Sequence, residues 1–187
     1  MRKHALLMVI VLLLAVAVLP RFAQASTKAE INNDARAALE NLYNKIPEAR
    51  KLGERATAIL VFPSILKGGL IVGGQIGDGA LFEHGKIVGY YRSVAGSYGL
   101  QAGVQKFGYA MFFMNEKALA YLKKSKGWEL GVGPSLVIVD KESVAAFGKS
   151  MTTSTLKDDI YAFIFSQKGL MAGLGLQGSK ITEIHPD

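Results

Sequence analysis

The chain has 187 residues, 22 of them basic and 15 acidic, for a formal net charge of +7, and it contains no cysteine. That length suits one domain with a substantial core. The missing cysteines exclude a disulfide scaffold and any thiolate metal site.

The chain opens like an export leader. A basic Arg2-Lys3-His4 precedes an apolar run from Ala5 to Leu19, and Pro20-Arg21-Phe22-Ala23-Gln24-Ala25 closes on the small-x-small pattern of a signal-peptidase site. Cleavage is expected between Ala25 and Ser26. The apolar run has 15 residues, fewer than the ~20 that a helix needs to cross a bilayer, and Pro20 ends it. No cysteine stands at the cleavage site, so a lipoprotein-type anchor is excluded. The expected product is a single periplasmic or envelope-associated domain, residues 26–187. Losing Arg2, Lys3 and Arg21 with no acid leaves 162 residues at a net charge of +4. Such a charge suits an anionic surface such as lipid headgroups. It is too small to argue for nucleic acid.

Residues 26–56 read as helical. Ile31, Ala35, Leu39, Leu42, Tyr43 and Ile46 recur at helical spacing, and Pro47 suits the first turn of a second helix, Pro47 to Arg55. The polar positions carry six basic and five acidic side chains, the mixture of a solvated face. The apolar stripe is expected to pack on a sheet.

Thr57 to Met114 cannot be helical. It holds twelve glycines, from Gly68 to Gly108, each costing a helix interior roughly 1 kcal/mol. Strands and tight turns remain. In Tyr98 to Gln105, Tyr98, Leu100, Ala102 and Val104 alternate with Gly99, Gln101, Gly103 and Gln105, which predicts one strand with its apolar face in a core. Asn115 to Lys124 reads as a short helix with Asn115 as its N-cap and two lysines at its C-terminal end. Strands are then expected at Trp128–Val132, Ser135–Asp140, Ile160–Ser166, Leu170–Leu176 and Ser179–Ile184, with a helical turn at Lys141–Phe147. The fold class is α+β: helices on a strongly curved, mostly antiparallel, glycine-rich sheet of eleven short strands, barrel-like if it closes.

The motifs of catalysis fail on their surroundings. Gly173-Leu-Gly-Leu-Gln-Gly178 spells a dinucleotide fingerprint, yet only nine residues follow it, too few for the helix and distant acid that the motif needs. Gly73 to Gly79 lacks the Gly-Lys-Ser/Thr ending of a phosphate loop and reads as a hairpin. Ala95-Gly-Ser-Tyr-Gly99 misses the nucleophile elbow by one residue. His84 and His185 show no metal-ligand spacing. Asp158 and Asp159 are adjacent, which on a strand sends them to opposite faces, so they are expected to begin the strand at Ile160. With no catalytic constellation, metal site or cofactor motif, the residues point to a non-enzymatic binding module.

Longer motifs carry a resemblance. Ala58-Ile-Leu-Val-Phe-Pro63, Lys67-Gly-Gly-Leu-Ile-Val-Gly-Gly74, Gly99-Leu-Gln-Ala-Gly103, Gly127-Trp-Glu-Leu-Gly-Val-Gly-Pro134 and Phe163 to Lys180 together resemble the SYLF domain family, also described as a lipid-binding or actin-binding domain, over about Lys28 to Ile184. The resemblance implies an exported bacterial member that binds anionic phospholipid. Some eukaryotic relatives bind actin; a leader directing this chain away from cytosolic actin means that role is not carried over. The alternative is an envelope scaffold that contacts another protein. The resemblance fixes no binding residues. Chemistry offers Lys67, Lys106, Lys168 and Lys180 as lipid-binding candidates, each a cation beside backbone N–H groups that suit a phosphate.

Overall fold

The computed structural model describes residues 26–69, 72–98, 103–139, 143, 144, 147, 156–169 and 178–187. The leader, the strand expected at Leu170–Leu176 and the glycines before Gly178 lie outside these residues. So does most of the turn expected at Lys141–Phe147, within which the Phe147 N–H donates to the Ser143 carbonyl at 2.9 Å.

Helix α1 spans Lys28–Lys45. Thr27 starts it with a capping box: its hydroxyl accepts the Glu30 N–H at 3.3 Å, and the Glu30 carboxylate accepts the Thr27 N–H at 2.8 Å. These bonds, chiefly the one from the Thr27 backbone, hold the Glu30 carboxyl below its usual range. Ile31, Ala35 and Leu42 are buried where α1 packs on strands β1 and β2, defined below. Helix α2, Pro47–Gly53, has Pro47 in its first turn and buries Ala49 and Leu52. Helix α3, Glu116–Lys124, is capped as expected, with the Ala118 N–H donating to Asn115 Oδ1 at 2.9 Å.

Eight strands form one sheet: β1 Ala58–Gly69, β2 Val72–Glu83, β3 Lys86–Tyr98, β4 Gly103–Phe113, β5 Trp128–Glu129, β6 Leu136–Val139, β7 Ile160–Gly169 and β8 Lys180–Ile184. Their order across the sheet is β5-β8-β3-β2-β1-β4-β7-β6. Every neighbouring pair is antiparallel except β6 with β7. The sheet curls into a half-barrel, open among the described residues, with β5 and β6 at its edges.

The α+β class stands, while the strands among the described residues are longer than expected. Strands β1 to β4 run for 12, 12, 13 and 11 residues straight through glycines expected to separate short strands. Gly73 to Gly79 therefore lies within β2 instead of forming a hairpin. Some of these glycines are places where the sheet folds tightly on itself: a Cβ on Gly108 would meet the Phe165 ring and the Pro63 carbonyl oxygen. The strand expected over Tyr98 to Gln105 falls in part on residues 99–102, which lie outside the described residues. β3 ends at Tyr98, β4 begins at Gly103, and the two strands are separated in the sheet by β2 and β1.

Each face of the sheet buries its own core. On the first face Leu60, Phe62, Leu81, Tyr109, Met111 and Phe113 pack with Trp128 and with Leu119 and Leu122 of α3. On the second face Ile59, Val61, Ala80, Phe82, Ala110 and Phe112 pack beneath α1 and α2.

Candidate functional site

Helices α1 and α2 cover only part of the second face. Beyond them one line of cross-strand neighbours runs Lys180 on β8, Val94 on β3, Ile76 on β2, Leu66 on β1, Lys106 on β4 and Lys168 on β7. Directly paired residues project to the same side of a sheet, so three aliphatic side chains stand between one lysine and two. Five inter-strand steps of ~4.8 Å make the line roughly 24 Å long. A parallel line carries Gly96, Gly74, Gly68 and Val104, where three bare backbones leave a shallow trough. A Cβ at Gly96 would meet nothing within 4 Å, so packing does not require a glycine there.

The aliphatic side chains are well exposed: Leu66 43%, Ile76 48%, Val94 45% and Val104 63%. Lys106, Lys168 and Lys180 are exposed as well. The next residues inward on β3 and β2 are Arg92 and Asp78, cross-strand neighbours joined by two hydrogen bonds of 2.6 and 2.8 Å. This pair separates the exposed patch from the helix-covered half. The Asp78 carboxylate holds the Arg92 guanidinium above its ordinary range.

The fourth candidate lysine goes elsewhere. Lys67 is 8% exposed on the first face, and its partners in register are Gln75 at 6% and Gln105 at 5%. This end of the first face is polar inside. Gln75 donates to the Ser179 hydroxyl at 2.8 Å, and the buried Tyr109 hydroxyl donates to Ser93 at 2.9 Å. Burial raises the Tyr109 phenol pKa well above its usual value. The expected alternation at Val104 and Gln105 is thus inverted, because the helices leave the second face open here while the first face closes over amides and hydroxyls.

Two irregularities set which side Leu66, Lys67 and Lys168 take. Pro63, which has no N–H to donate, lies with Ser64 in a bulge between Val61 and Leu66. The bulge puts Val61 and Leu66 on one face, although they are five residues apart. On β7 the ladder shifts between Phe165 and Lys168, around Ser166 with φ +53°, and Lys168 joins the same face as Phe165. Simple alternation misses both shifts and so misplaces Leu66 and Lys168, while Ile76, Val94 and Val104 alternate regularly along their own strands and are exposed because the helices stop short of them. The paired glycines Gly68 and Gly74 were the sequence signal from which the register could have been counted.

Asp159 and His84 lie away from this patch. Asp159 precedes β7 and accepts from the Asn115 amide at 2.8 Å and the Ser135 N–H at 2.9 Å, and these bonds, that from Asn115 first, lower its carboxyl pKa. His84 sits in the two-residue turn between β2 and β3. Among the described residues no group of three or more His, Asp or Glu is placed to hold a metal, and no helix is long and apolar enough to cross a membrane.

Residues 94–186 match the family model described as Ysc84, the Las17-binding protein actin regulator. The chain carries a domain of the SYLF family. This is a family of lipid- and actin-binding type, of binding domains rather than catalytic ones. The matched span includes Val94, Val104, Lys106, Lys168 and Lys180, whereas Leu66 and Ile76 precede it. No curated protein matches the chain.

Proposed function

We propose that this SYLF domain is an exported, non-enzymatic module that binds anionic phospholipid at the cell envelope through the uncovered half of its second face. One observation carries the reading: three of the four lysines singled out for phosphate chemistry fall on one cross-strand line with exposed aliphatic side chains. A lysine near an anionic leaflet contributes about 1 kcal/mol. Aliphatic side chains that enter the headgroup boundary add about 25 cal/mol per Å² removed from water. The two contributions suit each other, since the lysines flank the apolar centre and reach phosphates while Leu66, Ile76 and Val94 face the acyl boundary.

Co-sedimentation of the purified protein with phosphatidylglycerol and phosphatidylcholine vesicles tests this. Binding is expected to the anionic vesicles, to weaken as the Debye length falls from ~10 Å at 0.1 M salt to ~3 Å at 1 M, and to drop on the order of 100-fold in the combined variant K106Q/K168Q/K180Q. K67Q is the internal control and should leave vesicle affinity unchanged in whatever fraction stays folded. Absence of binding to either vesicle would sink the lipid reading and turn the same apolar face toward an envelope protein.

A further inference from the structure

At the opposite end of the second face, α1 and α2 stand away from the start of β1 and the β2–β3 turn and leave a cavity of about 540 Å³. Arg36, Leu39, Glu40 and Tyr43, at helical spacing i, i+3, i+4 and i+7, present one stripe of α1 to it. Its floor is apolar, with Ile59 and Phe82 of the sheet beside Leu39. Two arginines lie over aromatic rings at its wall: the Arg36 guanidinium 5.7 Å from the Phe82 centroid and that of Arg50 4.8 Å from the Tyr43 centroid. Stacking fixes the plane of a guanidinium and leaves its N–H edge available to a carboxylate or phosphate.

The charges at the wall are unevenly matched. Arg50 meets Glu40 at 3.3 Å, with both side chains about half exposed or more, so water weakens that pair. Among the described residues Arg36 has no carboxylate within ion-pair distance. Glu54 also lines the cavity. The Tyr43 hydroxyl sits so close to Gly53 that a Cβ there would collide with it. Burial pushes that phenol up to about 12, so it stays a neutral donor. His84 completes the rim from a turn in which it and Gly85 have φ +50° and +76°, a geometry that usually selects Asn, Asp or Gly.

We propose that this cavity is a second binding site, for a small anionic amphiphile: Arg36, aided by Arg50, takes a carboxylate or phosphate head, and an apolar segment lies over Leu39, Ile59 and Phe82. The site shares no residue with the lysine-flanked patch and does not depend on the reading of that patch. Its ligand could be drawn from the membrane or from solution, and the two sources are separable.

Monomeric octyl phosphate is the probe, titrated into the isotopically labelled protein and followed by amide chemical shifts, with octanol and inorganic phosphate as controls. Shifts confined to Ala56–Ile59, Phe82 and His84 are expected, with affinity at least about tenfold above either control, since head and tail both contribute. Arg36→Gln should weaken binding by about 10-fold, the scale of one lost charge-assisted hydrogen bond. Leu39→Trp, which fills the cavity, should abolish it; circular dichroism melts identify which variants remain folded. If Arg36→Gln also weakens binding to phosphatidylglycerol vesicles, the ligand is a membrane lipid; if vesicle binding is untouched, it is a soluble amphiphile. Both outcomes keep the site. No shift at millimolar probe, shifts at Lys106, Lys168 and Lys180 instead, or wild-type affinity in folded Arg36→Gln and Leu39→Trp would each overturn it.

Discussion

The two halves of the sheet's second face are built from the same strands and from similar side chains, yet they have opposite fates. Under α1 and α2, Val61, Ala80, Ala110 and Phe112 have no exposed surface. A few residues further along the same strands, Leu66, Ile76, Val94 and Val104 stand in solvent. Composition does not separate the halves; the reach of the helices does, and the Arg92–Asp78 pair marks where their cover ends. An apolar side chain is core or contact surface according to what lies over it.

Breaking the covered half should have the largest effect. Phe112 is fully buried, with its ring 5.4 Å from that of Phe163 and 6.5 Å from that of Tyr43, so Phe112→Ala should destabilise the fold by about 3–5 kcal/mol, measured by chemical denaturation. The uncovered half should respond in the opposite sense. Ile76→Ser should change stability by no more than about 0.5 kcal/mol yet weaken vesicle binding several-fold; a large loss of stability would mean that the patch is part of the core. The smallest effect sharpens the comparison through pH. Because hydrogen bonds lower the Asp159 carboxyl pKa in the folded state, its contribution to stability is fully present above the unfolded value of about 3.9. It fades as pH falls through the lower folded value. Acid titration of Asp159→Asn should lose that part of the pH dependence, while Asp158→Asn should keep it.

The helices were legible in the sequence because their signals are local. The stripe from Ile31 to Ile46, Pro47 and the Asn115 cap each act within a turn or two, and only the end of α2 differs, at Gly53 instead of Arg55. The candidate site was half legible. Its lysines announce themselves as cations beside glycines, but the side taken by Lys67 and Lys168 depends on the bulge at Pro63–Ser64 and the shift at Ser166, which are settled by pairing with distant strands. Reading alternation straight through such points assigns Lys67 to the wrong group and leaves Leu66 in the core. Long strands were equally hidden, since a glycine that forbids a helix merely thins a strand.

The bulge in β1 also limits how this chain can change length. Strand residues alternate sides, so parity counted from Val61, less the one residue that the bulge absorbs, decides what Leu66 and Lys67 do. Deleting Ser64 would leave Val61 and Leu66 four residues apart, the same count that β2 runs from Ala80 to Ile76, so the bulge would vanish while the leucine stayed outward and the lysine inward. Loss of one residue between Val61 and Leu66 should therefore be tolerated, whereas loss of two would turn the lysine outward and the leucine inward for the rest of the strand.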